Sequence, residues 1–318
     1  MASPSYLPLS DQAARQLIDA TALFEEHRRV SKEAARVSGG MYWKKQGKYE
    51  YLVKTFPDNR AKTLGPRDAE TEKAYHAFTQ RKTRIEGRLR QLAVSLREAE
   101  RLNKAVRVGR VPNIVIDILR ALEKAGLDEH FIVVGTHALY AYETAAGIRI
   151  AASALATQDV DLLWDARKRV QFFSDIKRLD GPVLGLLQSV DPTFERMEDQ
   201  RETAINASGF QVDFLRRMRE EGDPHPLRLT DHEEDLYVVQ ARRAALLTES
   251  PPFEHVIVSA TGRMVCMRTV DPKVFVRFKR WLAAQKERDA LKRGRDASQA
   301  RIVQALLDEG LLQSSIPG

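Results

Sequence analysis

The chain has a single cysteine, Cys266. That excludes an internal disulfide and any cysteine-based metal cluster, and it leads us to expect a reduced, cytoplasmic protein. No apolar run approaches the roughly 20 residues of a membrane helix, so no membrane span or membrane partner is expected. The first residues lack a basic-then-apolar pattern, so no export leader is expected either. His27, His76, His130, His137, His225, His232 and His255 show no metal-ligand spacing. We find no internal repeat and no low-complexity tract. What remains is a chain of 318 residues, 43% hydrophobic, long enough for two or three domains with an ample core.

Its charge is uneven. Between Arg28 and Arg110 there are 22 Lys/Arg against 9 Asp/Glu, a net of +13, while the whole chain carries +7. The basic character therefore belongs to the N-terminal third. It reads either as a surface for a polyanion, RNA or DNA first, or as a solvated helical face. Within it, Tyr42, Trp43, Tyr49 and Tyr51 interleave with Lys44, Lys45, Lys48 and Lys54. Aromatic faces can stack on bases while lysines follow phosphates. Packing on a neighbouring helix is the favoured use of most of these rings, which leaves the lysines for nucleic acid.

The chemistry sits further on. Phe131-Ile-Val-Val-Gly135-Thr136-His137 reads as an apolar strand running into a turn and a helix start. Thr157-Gln-Asp159-Val-Asp161-Leu-Leu reads as a second strand. Residues two apart in a strand share a face, so Asp159 and Asp161 stand side by side. Two such carboxylates are tolerated when a cation lies between them or when one holds a proton. Oxygen ligands of this kind suit Mg²⁺. A Gly-Thr turn at a helix start offers backbone N–H groups to an anion. A third carboxylate, Asp213, lies in the strand-like Gly209-Phe-Gln-Val-Asp-Phe-Leu215. A charge among apolar neighbours needs a partner. Together these parts suggest metal-assisted nucleotide chemistry.

The order of strand, Gly-hydroxyl turn, Asp-x-Asp strand and later strand Asp resembles the DNA polymerase β-type nucleotidyltransferase superfamily. The surrounding wording (VVGTHALYAYE, TQDVDLLWD, FQVDFLR) resembles bacterial proteins known only by that fold. The likeness also reaches YWKKQGKYEYL and the C-terminal helix. Two departures stand out. Thr136 replaces the usual Ser or Gly but keeps a hydroxyl, and the gap from the turn to Asp159 is longer than usual.

The resemblance implies an α+β fold with a mixed-sheet core. It implies a transferase that moves NMP from an NTP, ATP or another, to an acceptor hydroxyl with pyrophosphate release. Asp159, Asp161 and Asp213 would hold Mg²⁺ (Mn²⁺ as a substitute), with Asp213 also able to take the acceptor's proton. Gly135 would let backbone approach the phosphates, and Thr136 would donate to one of them. His137 would either face the phosphates or pack. Lys279, in FVRFKRWL, matches a helical lysine that contacts the triphosphate in toxin-type relatives. Arg288, Lys292, Arg295 and Asp296 follow it in a similar order, and they also read as a solvated charged face.

Three domains are expected. Residues 1–110 would hold basic helices with a hairpin, 111–220 the catalytic core, and 221–318 a hairpin and helices completing the nucleotide site. Asp165 reads as a helix cap rather than a ligand. The apolar seam Ile85, Leu89, Leu92, Leu96, Ala99 and Leu102 packs on the first helix or pairs with a second copy in a dimer. RNA or another nucleic acid is the favoured acceptor, with a protein or small molecule next. Two other readings stay open: a nucleic-acid-binding or regulatory module without turnover, and a toxin or defence effector.

Overall fold

The computed structural model describes Tyr6–Ile316 apart from residues 180, 222, 224 and 226. Pro224 and Pro226, which the sequence marks as chain breakers, lie outside the described residues. Residues Ile18–Leu102 form one compact unit and the rest of the described chain forms another. Strand β1 (Tyr6–Pro8) leads into helix α1 (Asp11–Arg36), where Ser10 Oγ accepts from Ala13 N as a cap should. Three strands follow, β2 (Gly40–Gln46), β3 (Tyr49–Thr55) and β4 (Ala61–Pro66), then the long helix α2 (Ala69–Ala105). Next come α3 (Asn113–Lys124), β5 (Phe131–Val134), α4 (Ala138–Ala146), β6 (Ile148–Ile150), α5 (Ala152–Leu155) and β7 (Asp159–Trp164). They are followed by α6 (Arg169–Ile176), α7 (Val183–Val190), β8 (Glu195–Arg196), β9 (Thr203–Ile205), β10 (Gln211–Arg216) and β11 (Val239–Gln240). The chain continues with α8 (Ala244–Thr248), β12 (Phe253–Val258), β13 (Met264–Thr269), α9 (Pro272–Ala283) and α10 (Ala290–Asp308).

In the unit Ile18–Leu102, Ile85 of α2 is buried with Val30 and Val37 of the first-helix segment, and Leu89 and Leu92 pack around them. The seam thus finds its apolar partner on the first helix. The stretch around Leu64-Gly65-Pro66, whose Gly-Pro pair reads as a loop signal in the sequence, is instead the edge strand β4, paired with β3. It is mostly exposed, so it carries no buried stripe to betray it, and Pro is tolerated on such an edge.

The other unit is organised by an eight-stranded mixed sheet in the order β12-β13-β5-β7-β10-β9-β8, with β11 beside β10. The hairpin β12–β13 turns at Gly262 (φ +87°) and joins the sheet through Thr269 opposite Val133. All four residues of β5 are buried, the pattern of a strand covered on both faces. In β7 and β10 one face is buried and the other only partly so. Val160 and Leu162 are inside, as are Val212 and Phe214, while Asp159, Asp161 and Asp213 are half-buried on the opposite face.

The long gap before Asp159 holds α4, β6 and α5. The segment 148–154, whose sequence suggests a strand or hairpin, is a strand only over Ile148–Ile150 and turns helical at Ala152, where alanine favours helix. Glu143, near the end of α4, anchors this insertion. It accepts from Arg110 Nε (2.9 Å), Arg149 Nη1 (3.1 Å) and the backbone N–H of Ile150 (2.9 Å). Asp165 caps the next turn, accepting from Arg167 N. α10 starts at Ala290, where Asp289 caps it by accepting from Lys292 N at 3.0 Å.

Candidate active site

β5 ends at Val134, and the chain turns through a 3₁₀ segment, Gly135–His137. Val134 lies opposite Asp161 across the antiparallel β5–β7 pair. Asp213 lies opposite Asp161 across the parallel β7–β10 pair, with Gln211 opposite Asp159. The register therefore brings the three aspartates together. One carboxylate oxygen from each lies within 4.8 Å of the others. Thr157 Oγ1 hydrogen-bonds Asp159, and Thr203 Oγ1 donates to Asp213 Oδ1 at 2.5 Å.

This cluster is electrostatically expensive without a cation. Burial, reinforced by Asp159 and Asp213, pushes the Asp161 carboxyl up to about 7, while Lys279 and Arg288 pull it back. Burial also raises Asp213, against the Thr203 hydrogen bond. Three converging oxygen donors are the set a hard divalent ion takes, so the residues present fit one.

Gly135 has φ +70°, and a Cβ there would stand 2.2 Å from Asp161 Oδ2. Glycine is thus required twice, for the left-handed backbone and for the room taken by the carboxylate. Gly135→Ala is expected to displace Asp161 and to cost about 1–3 kcal/mol of stability. Urea unfolding read beside an activity assay checks both.

Thr136 is 6% exposed, and its Oγ1 accepts from Gln299 Nε2 at 3.2 Å. His137 does not act as a charged phosphate ligand. It is 1% exposed, sits against Tyr140 and Phe210, and burial pushes it down to about 4. It packs, neutral.

A cleft of about 340 Å³ opens beside these groups. Gly135, Thr136, Thr157, Asp159 and Asp161 line one side, and Arg242, Lys279, Arg288, Lys292 and Arg295 supply positive charge. Phe278, Trp281 and Leu247 add an apolar wall. Asp213 stands beside Asp161 in the sheet but not in the lining of this cleft. Lys279 is 3% exposed; its Nζ donates to Asp296 Oδ1 at 2.8 Å, and Arg288 Nε holds the other oxygen at 2.7 Å. Burial lowers the Lys279 ammonium, while Asp296 and Asp161 support it. Asp296 is fully buried. The alternative reading of this run as a solvated face therefore does not apply to it. Gln299 had no place in the sequence reading. Its signal was available, since 296, 299, 303 and 306 recur on one helix face and two polar residues precede Val303 and Leu306 there.

The Asp161 shift predicts a pH signature. Its folded-state pKa lies above its unfolded value, so between about 4 and 7 the folded form holds the extra proton. Its contribution to stability is therefore lost as pH rises through that window. His137 acts in the opposite sense over pH 4 to 6.5, since its folded pKa is depressed. The contribution of Asp161 is isolated by comparison with Asp161→Asn. In chelator, thermal melts should show the variant gaining on wild type as pH rises from 5 to 8, and added Mg²⁺ should close the gap. A gap independent of pH would contradict this.

A mixed sheet carrying a Gly-hydroxyl turn beside three strand carboxylates defines the nucleotidyltransferase fold. The chain belongs to a nucleotidyltransferase family, whose match spans residues 113–316. No curated protein and no solved structure matches it.

Proposed function

We propose that the chain catalyses Mg²⁺-dependent transfer of NMP from an NTP to an acceptor hydroxyl. The observation that carries this reading is the convergence of Asp159, Asp161 and Asp213 within 4.8 Å, beside a glycine turn and a basic cleft. When bound at the three carboxylates, Mg²⁺ or Mn²⁺ supplies charge neutralisation and alignment for the reacting oxygens. Lys279, with Arg288 and Lys292, faces the triphosphate. Thr136 donates to a phosphate oxygen, and Gly135 lets the backbone come close. Phe278 and Trp281 give the base an apolar wall. The acceptor oxygen bonds to the α-phosphorus, the α–β bridging P–O bond breaks, and pyrophosphate leaves with that electron pair. Asp213, beside Asp161 in the sheet but outside the lining of the cleft, takes the acceptor's proton. In this scheme residues 111–220 bring the carboxylates, residues 221–318 complete the nucleotide site, and residues 1–110 bind the acceptor.

RNA or another nucleic acid is the favoured acceptor, ahead of a protein or a small molecule. Lys44, Lys45 and Lys48 are exposed on the β2–β3 hairpin. Tyr42 and Tyr49 are 46% and 67% exposed, whereas Trp43 is taken up by Tyr75 and Arg67. Lysines and two free aromatic faces are what a single strand needs. Changing the three lysines to glutamate should weaken RNA binding by at least about tenfold at moderate salt and flatten its salt dependence. Unchanged binding isotherms would remove this hairpin from the interface.

The test of the reaction uses the four α-³²P-NTPs with Mg²⁺ or Mn²⁺, total cellular RNA and protein extract. Nuclease-sensitive label is expected. Protease-sensitive label would move the acceptor to protein. No label with any NTP, together with intact salt-sensitive RNA binding, would replace the transferase with a binding module.

A further inference from the structure

We infer that Gln299 is a positioning residue for the phosphate-binding turn: its side-chain amide fixes the Thr136 hydroxyl as a donor into the cleft. The inference rests on the nucleotidyl-transfer reading. Gln299 is fully buried on α10. Its Nε2 donates to Ala154 O at 2.7 Å and to Thr136 Oγ1 at 3.2 Å. The carbonyl of Ala154 can only accept, so the amide nitrogen must face it, and the amide orientation follows from the partners. Both hydrogens of the NH₂ group are then committed. Thr136 Oγ1 is fixed as an acceptor toward Gln299, and its own hydrogen is left to donate elsewhere. Thr136 lines the cleft beside Gly135 and Asp161, where a phosphate oxygen needs a donor.

The other end of the amide supports a role beyond folding. Gln299 Oε1 is buried with no hydrogen-bond partner. A buried unpaired acceptor is costly and calls for an explanation. An apolar residue of similar size would avoid that cost. It would also lose the only feature that the amide supplies at this place, a donor to both Thr136 and Ala154. One amide thereby spans the Gly-Thr turn and the segment that feeds Thr157 and Asp159. That couples the phosphate donor to the strand carrying the carboxylates.

The test measures binding of Mg²⁺–tripolyphosphate, the part common to every NTP, by calorimetry, with melting temperature beside it. Gln299→Leu is expected to weaken binding about tenfold, the loss of one oriented hydrogen bond to a charged group. Its melting temperature reports the fold separately, since leucine removes the unpaired Oε1 but also leaves Ala154 O without its donor. In a Thr136→Ala background the same change should add less than about twofold, because the hydroxyl it orients is gone. Gln299→Glu keeps the size but turns the contact round. Its carboxylate would accept the Thr136 proton, so binding should fall at least as far as with Leu although the hydrogen bond persists. If Leu fails to fold, Glu carries the comparison.

Equal binding by Gln299→Leu and wild type would overturn the inference. So would a loss of the same size with and without Thr136, since that is what a merely structural role gives. In either case, wild-type binding that disappears in Asp161→Asn would leave the transfer reading standing. If wild type itself bound neither Mg²⁺–tripolyphosphate nor any NTP, the reading and the inference would both fall.

Discussion

Asp161→Asn is expected to lower kcat by at least about 10²–10³-fold, the usual effect of removing one group that stabilises transferred charge. It should also stabilise the metal-free protein, by roughly 1–2 kcal/mol. The two effects have one cause. Asp161 lies between Asp159 and Asp213 in the sheet register, and its carboxyl is pushed up to about 7 by burial and by those neighbours. A neutral amide removes that repulsion at no cost in shape. It also removes a ligand oxygen from the middle of the cluster. Steady-state rates and chemical denaturation in chelator measure the two sides. A variant that lost activity and stability together would show that Asp161 supports the fold rather than the reaction.

The second large effect concerns Asp296. Its two oxygens hold Lys279 and Arg288, and the side chain is fully buried. Asp296→Ala leaves the buried Lys279 ammonium without its counter-charge, which typically costs about 3–5 kcal/mol. Lys279→Met is the contrasting change. It leaves Asp296 still paired with Arg288, and a flexible apolar chain fills the same channel. Its stability loss should be clearly smaller than that of Asp296→Ala, while the NTP KM should rise by at least about tenfold. Equal destabilisation by the two variants would mean that Arg288 does not hold Asp296 on its own.

Much of this site was legible in the sequence because it lies on strands. Alternation along Asp159-Val160-Asp161 puts two carboxylates on one face. The apolar neighbours of Asp213 mark it as a strand residue in need of a partner. Gly135 and Thr136 end an apolar strand where a helix begins. The register that sets Asp213 opposite Asp161 was not legible, because strand pairing depends on contacts far apart in sequence. The same holds for the α10 side of the cleft. Asp296 and Gln299 are polar residues on a buried helix face, and a charge-rich stretch hides them among exposed neighbours such as Lys292. β4 is hard to read for the opposite reason, since an exposed edge strand shows no hydrophobic period. β8 and β9 are too short to show one.

If the proposed reaction holds, the three carboxylates serve turnover of a nucleotide. Pyrophosphate release from NTPs with Mg²⁺ and total RNA, comparing wild type with Asp159→Ala/Asp161→Ala, tests it most directly. Wild type should release pyrophosphate, and release should fall to background in the folded double variant. Equal release by both proteins, or none from wild type with any NTP and either Mg²⁺ or Mn²⁺, would contradict it.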